Sequence, residues 1–188
     1  MKLINLLKHL LLEKKGDSYD SGCVMLYFKF PAIKEIHDQI DPEDLYTQDG
    51  SEDGRTYGIE DEPHITLLFG LDPSVPLDDV VDILDNHTYT PCQVYNASLF
   101  ENEKYDVLKF DVKGSDLHET NEELCTLPYE NKFPDYHPHM TIAYIKPGKG
   151  SKYTELFEGK EWELVPRYAL YSQADGTKDK ITIKVKTK

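Results

Sequence analysis

Arginine is nearly absent from this 188-residue chain: Arg55 and Arg167 are the only two, set against 35 acidic residues and a formal charge of −14. A protein that tracks along a long nucleic acid carries a basic footprint over the phosphates it neutralises. With a pI near 4.8, this chain repels such a polymer except at a local site, which favours a small nucleotide or short oligonucleotide and no long nucleic acid. Cysteine is scarce too. Cys23, Cys92 and Cys125 are odd in number and lack Cys-x-x-Cys spacing, so they suggest neither a disulfide framework nor a zinc site, and a reducing cytoplasm suits them. Long apolar runs are also missing. Met1 to Lys15 places Leu3, Leu6, Leu7, Leu10 and Leu11 at helical spacing between lysines, but His9 interrupts the run and no small-residue cleavage site follows. This predicts a short amphipathic helix, not a signal peptide or a membrane span.

What the chain does contain is a phrase written twice. Pro63-His64-Ile65-Thr66-Leu67 returns as Pro138-His139-Met140-Thr141-Ile142, and each copy runs on into apolar and aromatic residues, Leu68-Phe69-Gly70 and Ala143-Tyr144-Ile145. Short runs rich in β-branched and aromatic residues predict strands, on which residues two apart share a face. His64 and Thr66 therefore point one way, as do His139 and Thr141. Proline cannot donate to a sheet ladder but is tolerated at the start of a strand, so Pro63 and Pro138 mark two equivalent beginnings. Two imidazoles on one surface divide the labour of cleaving a phosphodiester without metal, because near neutral pH one accepts a proton and the other gives one. A threonine hydroxyl beside each supplies a donor to a phosphate oxygen. A single His-x-Thr in a chain of seven histidines would be unremarkable; two copies sharing proline and apolar frame are hard to obtain by accident.

Around the motifs, Gly22 to Phe30 predicts a strand apolar on both faces and hence central. Pro31 to Ile40 predicts a helix, and Asp41 to Glu62 an acidic, turn-rich loop whose Asp49-Gly50 and Asp53-Gly54 lack the spacing of a calcium loop. Leu77 to Asn86 predicts an amphipathic helix with Val80, Val81 and Leu84 inward. Pro91 to Phe100 and Val107 to Val112 predict a hairpin at a sheet edge. Ser115 or Asp116 is the expected N-cap of a helix ending near Leu127. A short helix around Tyr153 to Phe157 and closing strands near Glu163 to Ser172 and Lys180 to Lys186 complete the chain. Length suits one domain, possibly of two lobes: residues 1–15 as helix or removable peptide, 16–188 as the domain.

Other residues near the motifs leave alternatives open. Tyr144 and Phe69 either stack on a base or fill the core. His137, in His-Pro-His, suggests a metal, but the intervening proline and the lack of a carboxylate beyond Asp135 favour a place at the mouth of a cleft or a role capping the loop. Lys146, with Lys149 and Lys152, either meets a second phosphate or is solvated loop. No metal and no cofactor is expected.

The paired motif resembles the 2H phosphoesterase superfamily (LigT-like, 2′–5′ RNA ligase-like), whose members carry one His-x-Thr/Ser signature per lobe. The resemblance covers the chain from about Gly22 onward; outside the motifs it rests on the order of strands and helices. It implies an α+β, bilobal, pseudo-two-fold fold with antiparallel sheets around a central cleft and flanking helices. It implies catalytic His64 and His139, phosphate-binding Thr66 and Thr141, and a metal-independent phosphodiesterase acting on a 2′,3′-cyclic phosphate or a 2′–5′ or 3′–5′ linkage. The first residues also look like the targeting peptides of proteins carried into tailed-phage heads, with Leu11-Leu12-Glu13 as processing site. That would make residues 1–13 removable and raise a second reading, a phage anti-defence enzyme degrading cyclic oligonucleotide messengers, cytoplasmic in the host and packaged in the virion. A third reading is a non-catalytic nucleotide binder or head-associated protein. Strand joining, which a ligase-like label would predict, fits poorly with the acidity.

Overall fold

The computed structural model describes residues 20–47, 57–114, 116–131 and 135–186. The expected N-terminal helix, the Leu11-Leu12-Glu13 site, both Asp-Gly pairs of the acidic loop and Ser115 lie outside them.

Among the described residues the chain forms ten strands and four α-helices. They are β1 (Gly22–Phe28), α1 (Ile33–His37), β2 (His64–Leu71), α2 (Leu77–Asn86), β3 (Thr88–Tyr89), β4 (Cys92–Glu101), β5 (Asp106–Lys113), α3 (Leu117–Leu124), β6 (His139–Ile145), α4 (Ser151–Leu156), β7 (Trp162–Leu164), β8 (Pro166–Ser172), β9 (Lys178–Ile181) and β10 (Lys184–Val185). One four-stranded sheet has the order β2-β1-β8-β9 and a second the order β6-β5-β4-β7, with a small parallel pair β10-β3 beside them. All pairings within the two large sheets are antiparallel. Each sheet carries a motif strand at its edge, and these two edges, β2 and β6, pack against each other. The architecture is therefore the bilobal, pseudo-two-fold arrangement expected, with β2 matching β6 and β1 matching β5.

Strand alternation explains the core. Val24, Leu26, Ile65 and Leu67 in one sheet and Leu108, Phe110, Met140 and Ile142 in the other are fully buried, while alternate residues such as Met25, Thr66, Asp111 and Thr141 are only partly so. Burial of a large apolar side chain contributes about 1.5–3 kcal/mol, and the buried apolar residues of both sheets form one continuous core.

Several boundaries differ from the sequence reading. The first helix is only Ile33–His37. The hairpin β4–β5 lies inside its sheet instead of at an edge, because β7 and β6 add to its two sides. The stretch Glu163 to Ser172 is two strands in different sheets, broken at Val165, with Pro166 opening the second. The third helix starts after Asp116, whose φ of 64° is left-handed and whose carboxylate accepts from Thr88 N–H instead of capping the helix. The described ends of the acidic loop are paired: Tyr46 N–H donates to Tyr144 O, Tyr144 N–H to Gly58 O and Glu60 N–H to Ile142 O, so both clothe the outer edge of β6.

Candidate active site

Each motif histidine opens its strand and is held in the same way. His64 Nδ1 donates to Glu62 O at 2.7 Å, and His139 Nδ1 donates to His137 O at 2.8 Å. A carbonyl can only accept, so the proton is on Nδ1 in both rings and Nε2 is the nitrogen available to exchange one. The accepting carbonyl belongs in each case to the residue before the proline. That residue is confined to extended backbone by the ring that follows it, which is why the repeated phrase begins with proline. His137 thus contributes a backbone oxygen to the site, and among the described residues no three His, Cys, Asp or Glu side chains converge to hold a metal ion.

The two strands also share a β-bulge. In β2, Thr66 pairs with Met25 and Leu68 with Val24, so Leu67 is an extra residue; in β6, Thr141 pairs with Lys109 and Ala143 with Leu108, so Ile142 is extra. Strict alternation would place Phe69 and Tyr144, five residues beyond the histidines, on the opposite face. The extra residue returns both to the face of His and Thr. Phe69 is 36% exposed there; Tyr144 packs edge-on against Tyr57 and Tyr105, with ring centroids 5.1 and 5.4 Å away. The carbonyls of the two bulge residues are satisfied, Leu67 O by Asn121 Nδ2 at 2.6 Å and Ile142 O by Glu60 N–H at 3.0 Å. Lys146 stands at the rim, its ammonium bonded to Glu43 O at 2.6 Å. Lys152 is paired with Asp44.

The rings themselves are fixed by different neighbours. His64 stacks on Tyr27 (5.3 Å), Tyr27 on Tyr168 (5.1 Å), and Lys180 Nζ caps Tyr168 at 3.9 Å. His139 meets Phe100 edge-on at 4.9 Å, and Lys109 Nζ lies 4.5 Å over the Phe100 ring. Burial holds the His139 imidazole below its ordinary 6.5; the His137 carbonyl opposes this, the Lys109 and His64 charges add to it, and Asp111 opposes it. The strands β2 and β6 pack against each other, which brings His64 within electrostatic reach of His139. Thr66 interacts with the Cys23 thiol, which burial pushes up to about 12 and which is no nucleophile near neutral pH. Sequence reasoning missed Tyr27, Phe100 and Lys109, since nothing local distinguishes a cleft-facing position from a solvent-facing one.

No protein-family model matches the sequence of this chain, and no curated protein does. Its structure is similar to that of Usb1 from Kluyveromyces marxianus, solved with uridine monophosphate (TM-score 0.53, 8% identity, 88% of this chain and 99% of that one) and without it (TM-score 0.54, 8% identity, with the same coverage of each chain). The fold of this chain is therefore that of Usb1. E. coli LigT, solved with 3′-AMP, shows a looser likeness (TM-score 0.45, 14% identity, 87% of this chain and 96% of that one). Within this fold, both His-x-Thr strands stand at the facing sheet edges. No helix among the described residues is long and apolar enough to cross a membrane.

Proposed function

We propose that this chain is a metal-independent phosphodiesterase that cleaves a small nucleotide or short oligonucleotide, carrying a 2′,3′-cyclic phosphate or an internucleotide linkage, by two-histidine acid–base catalysis. The observation that carries the reading is the matched presentation of His64 and His139: each ring is tied through Nδ1 to the carbonyl before a proline, on facing edge strands, with a threonine two residues on. Usb1, of the same fold, was solved with uridine monophosphate, which accords with a nucleotide of this size.

For a 3′–5′ linkage, one Nε2 takes the proton of the 2′-hydroxyl, whose oxygen attacks phosphorus; the P–O5′ bond breaks and the other Nε2–H delivers its proton to O5′. The products are a 2′,3′-cyclic phosphate and a 5′-hydroxyl. For a 2′,3′-cyclic phosphate, water replaces the 2′-hydroxyl and a ribose oxygen leaves. Thr66 and Thr141 donate to the non-bridging oxygens, where charge develops. The rim lysines are engaged with protein oxygens, and the acidity of the whole again favours a short substrate.

The test is a panel of cyclic dinucleotides and trinucleotides, 2′–5′ oligoadenylate, dinucleoside monophosphates and 2′,3′-cyclic mononucleotides, incubated in EDTA. Product from one or more is expected, with His64→Ala and His139→Ala each about 10²- to 10⁴-fold slower. Turnover of a cyclic oligonucleotide would favour the phage anti-defence branch. Binding without product from any of them would overturn the proposal in favour of a non-catalytic binder.

A further inference from the structure

The register of the two sheets permits a position-by-position comparison of the lobes. Tyr27 pairs with His64 and Met25 with Thr66; Asp111 pairs with His139 and Lys109 with Thr141. The first lobe therefore sets an aromatic and a thioether beside its motif, and the second sets a carboxylate and an ammonium at the same two places. Lys109 is 6% exposed. Its Nζ donates to Asp111 Oδ1 at 2.6 Å and to Ser98 Oγ at 2.8 Å. Asp111 accepts further from Asn96 Nδ2 at 2.5 Å and Ser98 Oγ at 3.3 Å. Burial alone would raise the Asp111 carboxyl, but the bonds from Lys109, Asn96 and Ser98 outweigh it and hold the carboxyl below the usual range.

Asp111 does not orient His139 in the manner of a triad carboxylate, because His139 Nδ1 is already spent on the His137 carbonyl. Its oxygens instead anchor the lysine. The charged or titratable groups facing His139 are Lys109 and Asp111 from β5 and His64 from β2; β4 contributes the uncharged Asn96, Ser98 and Phe100. Around Tyr27, which stacks on His64, the ionised groups include the carboxylates of Glu62 and Glu60, with Lys180 over Tyr168 at the far end of the stack.

Building on the proposed function, we infer that Lys109 is the positioning residue that makes the two histidines unequal: together with burial it disfavours a cation at His139, so that His139 is the proton acceptor of the reaction and His64 the donor. A buried ammonium one residue pair away disfavours a second cation at His139. In the forward step the 2′-hydroxyl proton passes to His139 Nε2, the 2′-oxygen bonds to phosphorus, the P–O5′ bond breaks, and O5′ receives the proton of His64 Nε2. In that sequence only the departure of O5′ depends on the acid, and a leaving group stable as an anion does not need it.

Two probes separate the roles: the dinucleotide UpU and uridine 3′-(4-nitrophenyl phosphate). His64→Ala is expected to lose about 10²-fold or more on UpU but less than about 10-fold on the nitrophenyl ester, whereas His139→Ala loses about 10²-fold or more on both. Rescue of His139→Ala by the ester, with His64→Ala dead on it, would overturn the assignment. The part played by Lys109 is read without turnover, from the NMR titration of the His139 Cε1–H. Lys109→Met should move it to higher pH and Asp111→Asn to lower pH, with the acidic limb of kcat/KM following in each direction. A merely structural role would not give opposite displacements. An unmoved His139 titration in a folded Lys109→Met, or, where that variant does not fold, in Asp111→Asn, would overturn the inference. If the wild-type chain cleaves neither probe, it is the proposed function that fails for this linkage, and the titration still decides the role of Lys109.

Discussion

Proline, carbonyl and imidazole act together at each motif. The proline confines the preceding residue to extended backbone, its carbonyl takes the Nδ1 proton, and Nε2 is left as the working atom. Pro138→Ala is accordingly expected to lower kcat by about 3- to 10-fold with little change in KM, since it loosens the ring without removing it; steady-state kinetics on the most active substrate of the panel measures this. The pH profile follows from the same residue scale. His139 accepts a proton only when neutral, and burial holds it below its ordinary 6.5, so activity falls as pH drops through that lowered value and the acidic limb of kcat/KM should lie below 6.5. A limb above it would contradict the structure. The four motif residues were legible because proline, alternation and repetition are local signals. Lys109 was not: Leu108-Lys109-Phe110 reads as an alternating strand with its lysine in water, and only the partner strands show that this face is the cleft.

At the scale of elements, the duplicated bulge decides what the cleft presents. An extra residue after each threonine turns Phe69 and Tyr144 toward the histidines, and two buried residues in succession, Leu67-Leu68 and Ile142-Ala143, are its trace in the sequence. Asn121→Ala removes the donor from Leu67 O and leaves that acceptor unpaired, an expected cost of about 1–3 kcal/mol, visible as a lower Tm and accompanied by reduced kcat/KM. Gly70 has a φ of +102°, and a Cβ there would stand 2.5 Å from Glu130 O. Gly70→Ala should therefore destabilise by at least about 1–3 kcal/mol in a chemical melt. The helix Leu77–Asn86 and the central strand β1 were readable from periodicity and apolar content. The interior position of the β4–β5 hairpin was not, because the strands that flank it come from far along the chain. The break at Val165 did leave a sign: Pro166 can only begin a strand.

The whole molecule carries a charge of −14, which repels an anionic substrate at long range. Salt screens that repulsion with a Debye length of about 10 Å at ~0.1 M, so kcat/KM for a nucleotide should rise, or at least not fall, between about 20 and 200 mM salt, the reverse of a basic nucleic-acid binder. Stability has its own pH dependence. His139 and His37 are both lowered by burial, so below 6.5 the unfolded chain binds more protons than the folded one. Stability should be intact above that pH and be lost as pH falls through the folded values, as thermal melts between about pH 7 and 5 would record. Finally, β1 lies between β2 and β8, so the sheet bearing His64 is completed by a strand made more than a hundred residues later. A ribosome that has already released the first motif still holds back its closing partner, and the nascent chain must shield an open strand edge until β8 has emerged.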